Sequence, residues 1–202
     1  LNPLSGVWAR EELISPQEMA KKVEAAVKAK KDPDFIINAR TDAIAVEGLD
    51  KAIERARLYI AAGADMVFPD AVDNEEQIKR FVNAVAAPVS INIGFGIRAR
   101  PTTPLIPVRR LAELGVARVT MARMLPSAAL MGMKKALELM RDHVENGTLH
   151  DRPDLLCGMD EITDLMGYAK IAELEAQFLP DDQLERKYGA AKADYVVRER
   201  KT

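Results

Sequence analysis

Short apolar runs that end on polar or charged groups recur along this chain: FIINARTD at 35–42, MVFPD at 66–70, VSINIG at 89–94 and RVTMAR at 118–123. Each reads as a strand, and each is followed by a segment with helical spacing of its apolar positions. Strand starts near 35, 66, 89 and 118 lie 23–31 residues apart, the spacing of successive βα units with parallel strands. The first helix is announced by Ser15-Pro16-Gln17-Glu18. Ser15 caps, Pro16 suits the first helical position, and Ser15 with Glu18 makes a capping box; the helix stops near Asp32-Pro33.

The second predicted helix, LDKAIERARLYIAAG, places Ile53, Ala56, Leu58 and Ile60 on its apolar side and ends at Gly63. NEEQIKRFVNAVA (74–86) carries acids in its first turn, as the helix dipole favours. VRRLAELG (108–115) is a shorter helix. After Pro126 comes a long one, SAALMGMKKALELMRDHVENG, whose Leu and Met positions read as core packing. A link at 150–154 leads to helices at about 159–168 and 170–178, and from Pro180 a polar tail reads as a solvated arm or surface helix. Residues 1–149 are thus expected to form one body and 150–202 a helical arm.

In parallel α/β folds, ligands sit at the carboxyl ends of the strands. Arg40, Asp42, Asp70, Asn92 and Arg123 are therefore expected to converge on one pocket, which points to an enzyme. Arg40 offers a planar fork for a carboxylate or phosphate; its bland alternative is an ion pair with Asp42. Asp70 is placed to orient substrate, act as a base or stand behind a metal, against the alternative of a helix cap. Asn92 can donate to a developing oxyanion, with Gly94 and Gly96 leaving room for a ligand. The run from Gly94 to Ala99 matches G-x-G-x-x-A, but the prolines at 101 and 104 forbid the helix a dinucleotide site requires. A loop carrying Arg98, Arg100 and Thr102 over an anionic substrate is the better reading.

Four βα units do not close an eight-stranded barrel. Four more units upstream, an open sheet, or two paired half-barrels all remain possible. The start, LNPLSGVW, lacks an initiator Met and signal character, so the chain is expected to begin inside a longer protein. Composition narrows the class: 202 residues, 48% hydrophobic, 30% charged, net charge −2 with both signs mixed. Neither a nucleic-acid footprint nor a membrane-binding one stands out, and no apolar run approaches the roughly 20 residues of a membrane span. A single cysteine, Cys157, allows no internal disulfide and suggests a reducing, cytoplasmic setting. It has no evident activating partner, and His143 and His150 lack a third ligand.

The blocks SPQEMAKKVEAAVKA, DFIINARTDAIAVEGLDKAIERARLYIAAGADMVFPD, PVSINIGFG with TTPL, and LAELGVARVTM resemble the isocitrate lyase/phosphoenolpyruvate mutase superfamily over roughly residues 6–145. They look closest to its 2-methylisocitrate lyase, dimethylmalate lyase and oxaloacetate decarboxylase-like branch. The resemblance implies a (β/α)8 TIM-type barrel, of which this chain supplies the C-terminal half to two-thirds. It also implies C-terminal helices exchanged between subunits of a homotetramer. It implies magnesium, held by residues upstream of this chain, and a small 2-oxo or 2-hydroxy di- or tricarboxylate cleaved or decarboxylated through an enolate. Arg40 matches a carboxylate-binding Arg, Asn92 an active-site Asn, and Asp70 stands where the lyases carry Glu. Ser5 and Val7 fall where those lyases have Cys and His, and Gly94 replaces a Thr, which favours a decarboxylase or hydrolase-like member. A C–P bond enzyme of the phosphonopyruvate type and a non-catalytic, oligomer-forming paralogue are the alternatives.

Overall fold

The structure is a computed structural model that describes residues 12–96, 103–148 and 150–189. Its contacts divide the chain into two units, residues 1–128 and 129–202. The first unit holds four parallel strands, β1 (Asn38–Thr41), β2 (Met66–Pro69), β3 (Ser90–Asn92) and β4 (Arg118–Thr120). β1 pairs with β2 and β3 with β4, and a bridge between Val67 and Val89 joins the two pairs. The order in space is therefore the order in sequence, as expected for consecutive right-handed βα crossovers.

The helices between them are α1 (Pro16–Ala29), α2 (Ala43–Glu47), α3 (Leu49–Ala61), α4 (Glu75–Ala84) and α5 (Val108–Glu113). Because side chains alternate along a strand, each strand has one helix-facing set. Ala39, Val67, Val89, Ile91 and Ile93 form that set here, and all are buried. Val67, Val89, Ile91 and Ile93 join Ile53, Ala56, Ile78, Phe81 and Leu111 in the main core; Ala39 packs with Val23, Tyr59 and Ala64 in a smaller one. Burial of this kind is worth roughly 1.5–3 kcal/mol per large aliphatic or aromatic side chain.

Local signals act as expected in part. Ser15 accepts from the Glu18 amide at 3.1 Å, capping α1, but the Glu18 carboxylate turns along the helix to Lys22 at 2.9 Å rather than closing the box. α3 is rotated relative to the sequence reading. Its buried face is Ala52, Ile53, Arg55, Ala56 and Tyr59, while Leu58 and Ile60 lie half-buried on the flanks. The spacing is still helical, but the alanines let α3 sit close to the sheet and bring Arg55 underneath. Arg55 donates to both Glu47 oxygens at 2.7 and 2.8 Å and to the Ile14 carbonyl at 2.9 Å, tying α2, α3 and the entry to α1 together. That bidentate contact holds the Glu47 carboxyl below its ordinary range.

α6 (Met124–Asn146) begins two residues before Pro126 and contains no buried residue. Leu130, Met131, Met133, Leu137, Met140 and Val144 are all exposed, which corrects the expectation that they pack in the chain's own core. The reason is simple: among the described residues nothing covers them. The second unit continues with α7 (Met159–Leu165), α8 (Tyr168–Phe178), α9 (Asp181–Leu184) and a π-turn at Glu185–Gly189. Ile162, Leu165, Met166, Ile171, Leu174 and Phe178 are exposed there too. No described helix is long and apolar enough to cross a membrane.

Candidate active site

Strand register puts the polar tips on one level. Asn38 pairs with Met66, Val67 with Val89, and Ser90 with Arg118. Continuing those ladders by whole residues sets Asp42, Asp70, Asn92 and Thr120 in one row across the four strands. All four have the parity of Arg40, opposite to the helix-facing set, so the row lies on the face turned away from the helices. The Asp70 amide donates to the Thr41 carbonyl at 2.9 Å and the Ile93 amide to the Thr120 carbonyl at 2.9 Å, carrying the ladder to the level of the tips.

Arg40 is the hub of the first half of the row. Its Nε donates to Asp42 Oδ1 at 2.8 Å and Oδ2 at 3.1 Å, and its Nη2 to Asp42 Oδ1 at 2.5 Å and Asp70 Oδ2 at 3.0 Å. The guanidinium lies 5.3 Å from the ring centre of Phe68, its register partner on β2, within cation–π range. The Arg40–Asp42 pair foreseen as the bland alternative thus exists, and Asp70 joins it. The Arg40 side chain is 52% exposed, against 30% for Asp42 and 21% for Asp70. Two carboxylates thus hold the guanidinium in direction while about half of the Arg40 side chain stays exposed.

Asp70 does not cap the following helix. That place belongs to Asn74, whose side chain accepts from the Gln77 amide at 2.9 Å. Instead, Ala71 takes φ +60°, a left-handed conformation uncommon outside glycine, immediately after Asp70. The sharp turn lets the chain leave β2 while Asp70 keeps its place beside Arg40.

The second half of the row is a pair. Thr120 Oγ1 donates to Asn92 Oδ1 at 3.0 Å, both residues being partly buried. Thr120 was not singled out from the sequence; its signal was available in the alternation of RVTMA, which gives it the parity of Asn92. Gly94 is buried next to this pair in sequence, and Gly96 takes φ +74°. Arg123 lies beyond β4 in the turn before α6 and has interactions of its own. Ser5, Val7, Arg98, Arg100 and Thr102 lie outside the described residues.

Among the described residues, no three His, Cys, Asp or Glu side chains form a cluster that could hold a metal. The two acids at the tips, Asp42 and Asp70, are both engaged by Arg40. The residues present do not by themselves fit a magnesium centre. Elsewhere, His143 Nδ1 lies 3.2 Å from the Thr148 carbonyl, and the Cys157 thiol is pushed up by desolvation and by Glu161, away from nucleophilic reactivity.

A family model described as phosphoenolpyruvate phosphomutase matches residues 5–141. 2-Methylisocitrate lyase of Escherichia coli (strain K12) is 41% identical over 167 residues, covering 80% of this chain and 52% of that protein. A structure of oxaloacetate acetylhydrolase with the inhibitor 3,3-difluorooxalacetate superposes with TM-score 0.69 at 22% identity, covering 84% of this chain and 55% of that one. Phosphonopyruvate hydrolase in complex with oxalate and Mg++ gives TM-score 0.66 at 24% identity, covering 86% and 60%. At those identities the two structures speak for the fold alone. The chain spans about half the length of the curated relatives it matches.

Proposed function

The chain belongs to the phosphoenolpyruvate phosphomutase family within the isocitrate lyase/phosphoenolpyruvate mutase superfamily, and on that premise we propose that the whole protein is a carbon–carbon lyase or decarboxylase. Its substrate is a small 2-oxo or 2-hydroxy di- or tricarboxylate. The observation that carries this reading is the single row of polar groups across the strand tips, with the pre-oriented Arg40 at one end and the Asn92–Thr120 pair at the other.

In this reading Arg40 binds a substrate carboxylate, while Asp42 and Asp70, which take its Nε and Nη2 donors in this structure, fix the guanidinium in direction. Cleavage of a bond α to a carbonyl leaves negative charge on the carbonyl oxygen. Asn92 supplies a hydrogen-bond donor toward that oxygen, a contact that strengthens as charge develops and so lowers the barrier rather than merely tightening binding. Gly94 keeps the approach free of a side chain. Magnesium dependence, closure of a (β/α)8 barrel and a homotetramer with exchanged helices enter from the family resemblance. The exposed apolar residues of α6, α7 and α8 support the assembly part of this reading.

The test is a product assay on the full-length protein with magnesium, over 2-methylisocitrate, 2,3-dimethylmalate, oxaloacetate and phosphonopyruvate, alongside calorimetric titration with oxalate, a planar mimic of the enolate. Carbon–carbon cleavage or decarboxylation of one acid, with oxalate competing, is the expected result. Turnover of phosphonopyruvate alone would replace this reading with C–P chemistry. A protein that neither turns over any of these acids nor binds oxalate is the non-catalytic paralogue.

A further inference from the structure

We propose that Thr120 is a positioning residue that sets the direction of the Asn92 amide; this rests on the reading of Asn92 as a donor to the enolate oxygen. A side-chain amide turns about a broad, two-fold torsion, and its two ends are opposite in hydrogen-bonding sense, Oδ1 accepting and Nδ2 donating. An Asn that is to stabilise an oxyanion must present Nδ2, and something must hold Oδ1 away. Thr120 does so: its Oγ1 donates to Asn92 Oδ1 at 3.0 Å across β3 and β4.

The support for Thr120 is itself rigid. Asn92 and Thr120 are register partners, and the Ile93 amide donates to the Thr120 carbonyl at 2.9 Å, so both backbones are pinned beside the bond. Threonine is branched at Cβ and stiff at χ1, so its hydroxyl has few places to go. With Oδ1 occupied by Thr120, Nδ2 is turned away from β4. The direction it takes is fixed before substrate arrives, which is what preorganised oxyanion stabilisation needs.

The experiment uses the full-length protein and compares Thr120→Val, which keeps the shape and removes the hydroxyl, with Thr120→Ser, which restores it. Kinetics on the substrate found by the panel are read with calorimetric oxalate affinity and the unfolding midpoint. Thr120→Val should lower kcat about tenfold, the scale of one lost hydrogen bond, with KM changed less than about twofold and the unfolding midpoint preserved. Thr120→Ser should recover kcat to within about threefold of the parent. Asn92→Ala alone should cost about 10²–10³ in kcat, and adding Thr120→Val to it should cost nothing more, because Thr120 acts only through the amide.

If Asn92→Ala is impaired while Thr120→Val retains parental kcat, or if the two losses simply add, the assignment of Thr120 is overturned and that of Asn92 stands. If Asn92→Ala is fully active, the reading of Asn92 fails and Thr120 falls with it. Absence of both turnover and oxalate binding in the parent overturns both together.

Discussion

Arg40 on β1 donates from Nη2 to Asp70 Oδ2 at 3.0 Å, joining the tips of two neighbouring strands thirty residues apart in the chain. Asp42, two residues from Arg40, holds the same guanidinium from the other side. The two acids share a cation whose side chain is about half exposed, so the bridge is not a buried strut. The value of such an exposed bridge to folding is small, about 0–1 kcal/mol.

Arg40→Ala should therefore reduce kcat/KM of the full-length enzyme by at least about 10²-fold while shifting stability by about 1 kcal/mol or less. Arg40→Lys should rescue poorly, since an ammonium cannot make the bidentate contact. Steady-state kinetics together with urea unfolding check this; a variant with near-parental substrate affinity would remove Arg40 from the binding role.

Ala71→Gly should be neutral or stabilising by up to about 1 kcal/mol, because the left-handed φ of +60° strains any Cβ-bearing residue there and glycine relieves it. If activity falls while stability holds or rises, the turn is positioning Asp70, and the loss should appear in kcat/KM. A destabilised Ala71→Gly would mean that the turn is not strained.

Asp65 should give the first unit a pH-dependent increment of stability. Its carboxylate accepts from the Ile37 amide at 2.8 Å and faces Lys30 at 3.3 Å, and these contacts, the amide first, hold its pKa below the ordinary aspartate value despite an opposing desolvation effect. A group depressed in the folded state stabilises fully above its unfolded pKa of about 3.9 and loses that contribution as pH falls through the folded value. Asp65→Asn should accordingly be less stable than the parent at pH 7, and the difference should shrink below about pH 4. Urea midpoints at the two pH values measure it.

Deleting residues 155–202 from the full-length protein should yield smaller, aggregation-prone species. α7, the Met166 that follows it and α8 present Ile162, Leu165, Met166, Ile171, Leu174 and Phe178 to solvent within this chain, an amount of apolar surface that calls for a partner. Sedimentation decides: a deletion variant with the parental mass would show that these helices do not hold the oligomer.

The sequence by itself determined the local and periodic features. The apolar runs FIINARTD, MVFPD, VSINIG and RVTMAR placed four strands, Ser15 and Gly63 marked helix ends, and Arg40, Asp42, Asp70 and Asn92 were legible as tips because chemistry-bearing residues sat where apolar runs stopped. Only the tertiary structure decided what those tips do to one another. The 28- and 22-residue offsets of the paired strands are long-range register, set by how whole βα units pack, and no local pattern encodes them. That register aligned Thr120 with Asn92 and Phe68 with Arg40, and the packing of α3 put Arg55 and Tyr59 on its buried face. The apolar pattern of α6 misled for a related reason: periodicity reports that a face is to be buried, while the surface that buries it is supplied by another part of the molecule or another copy.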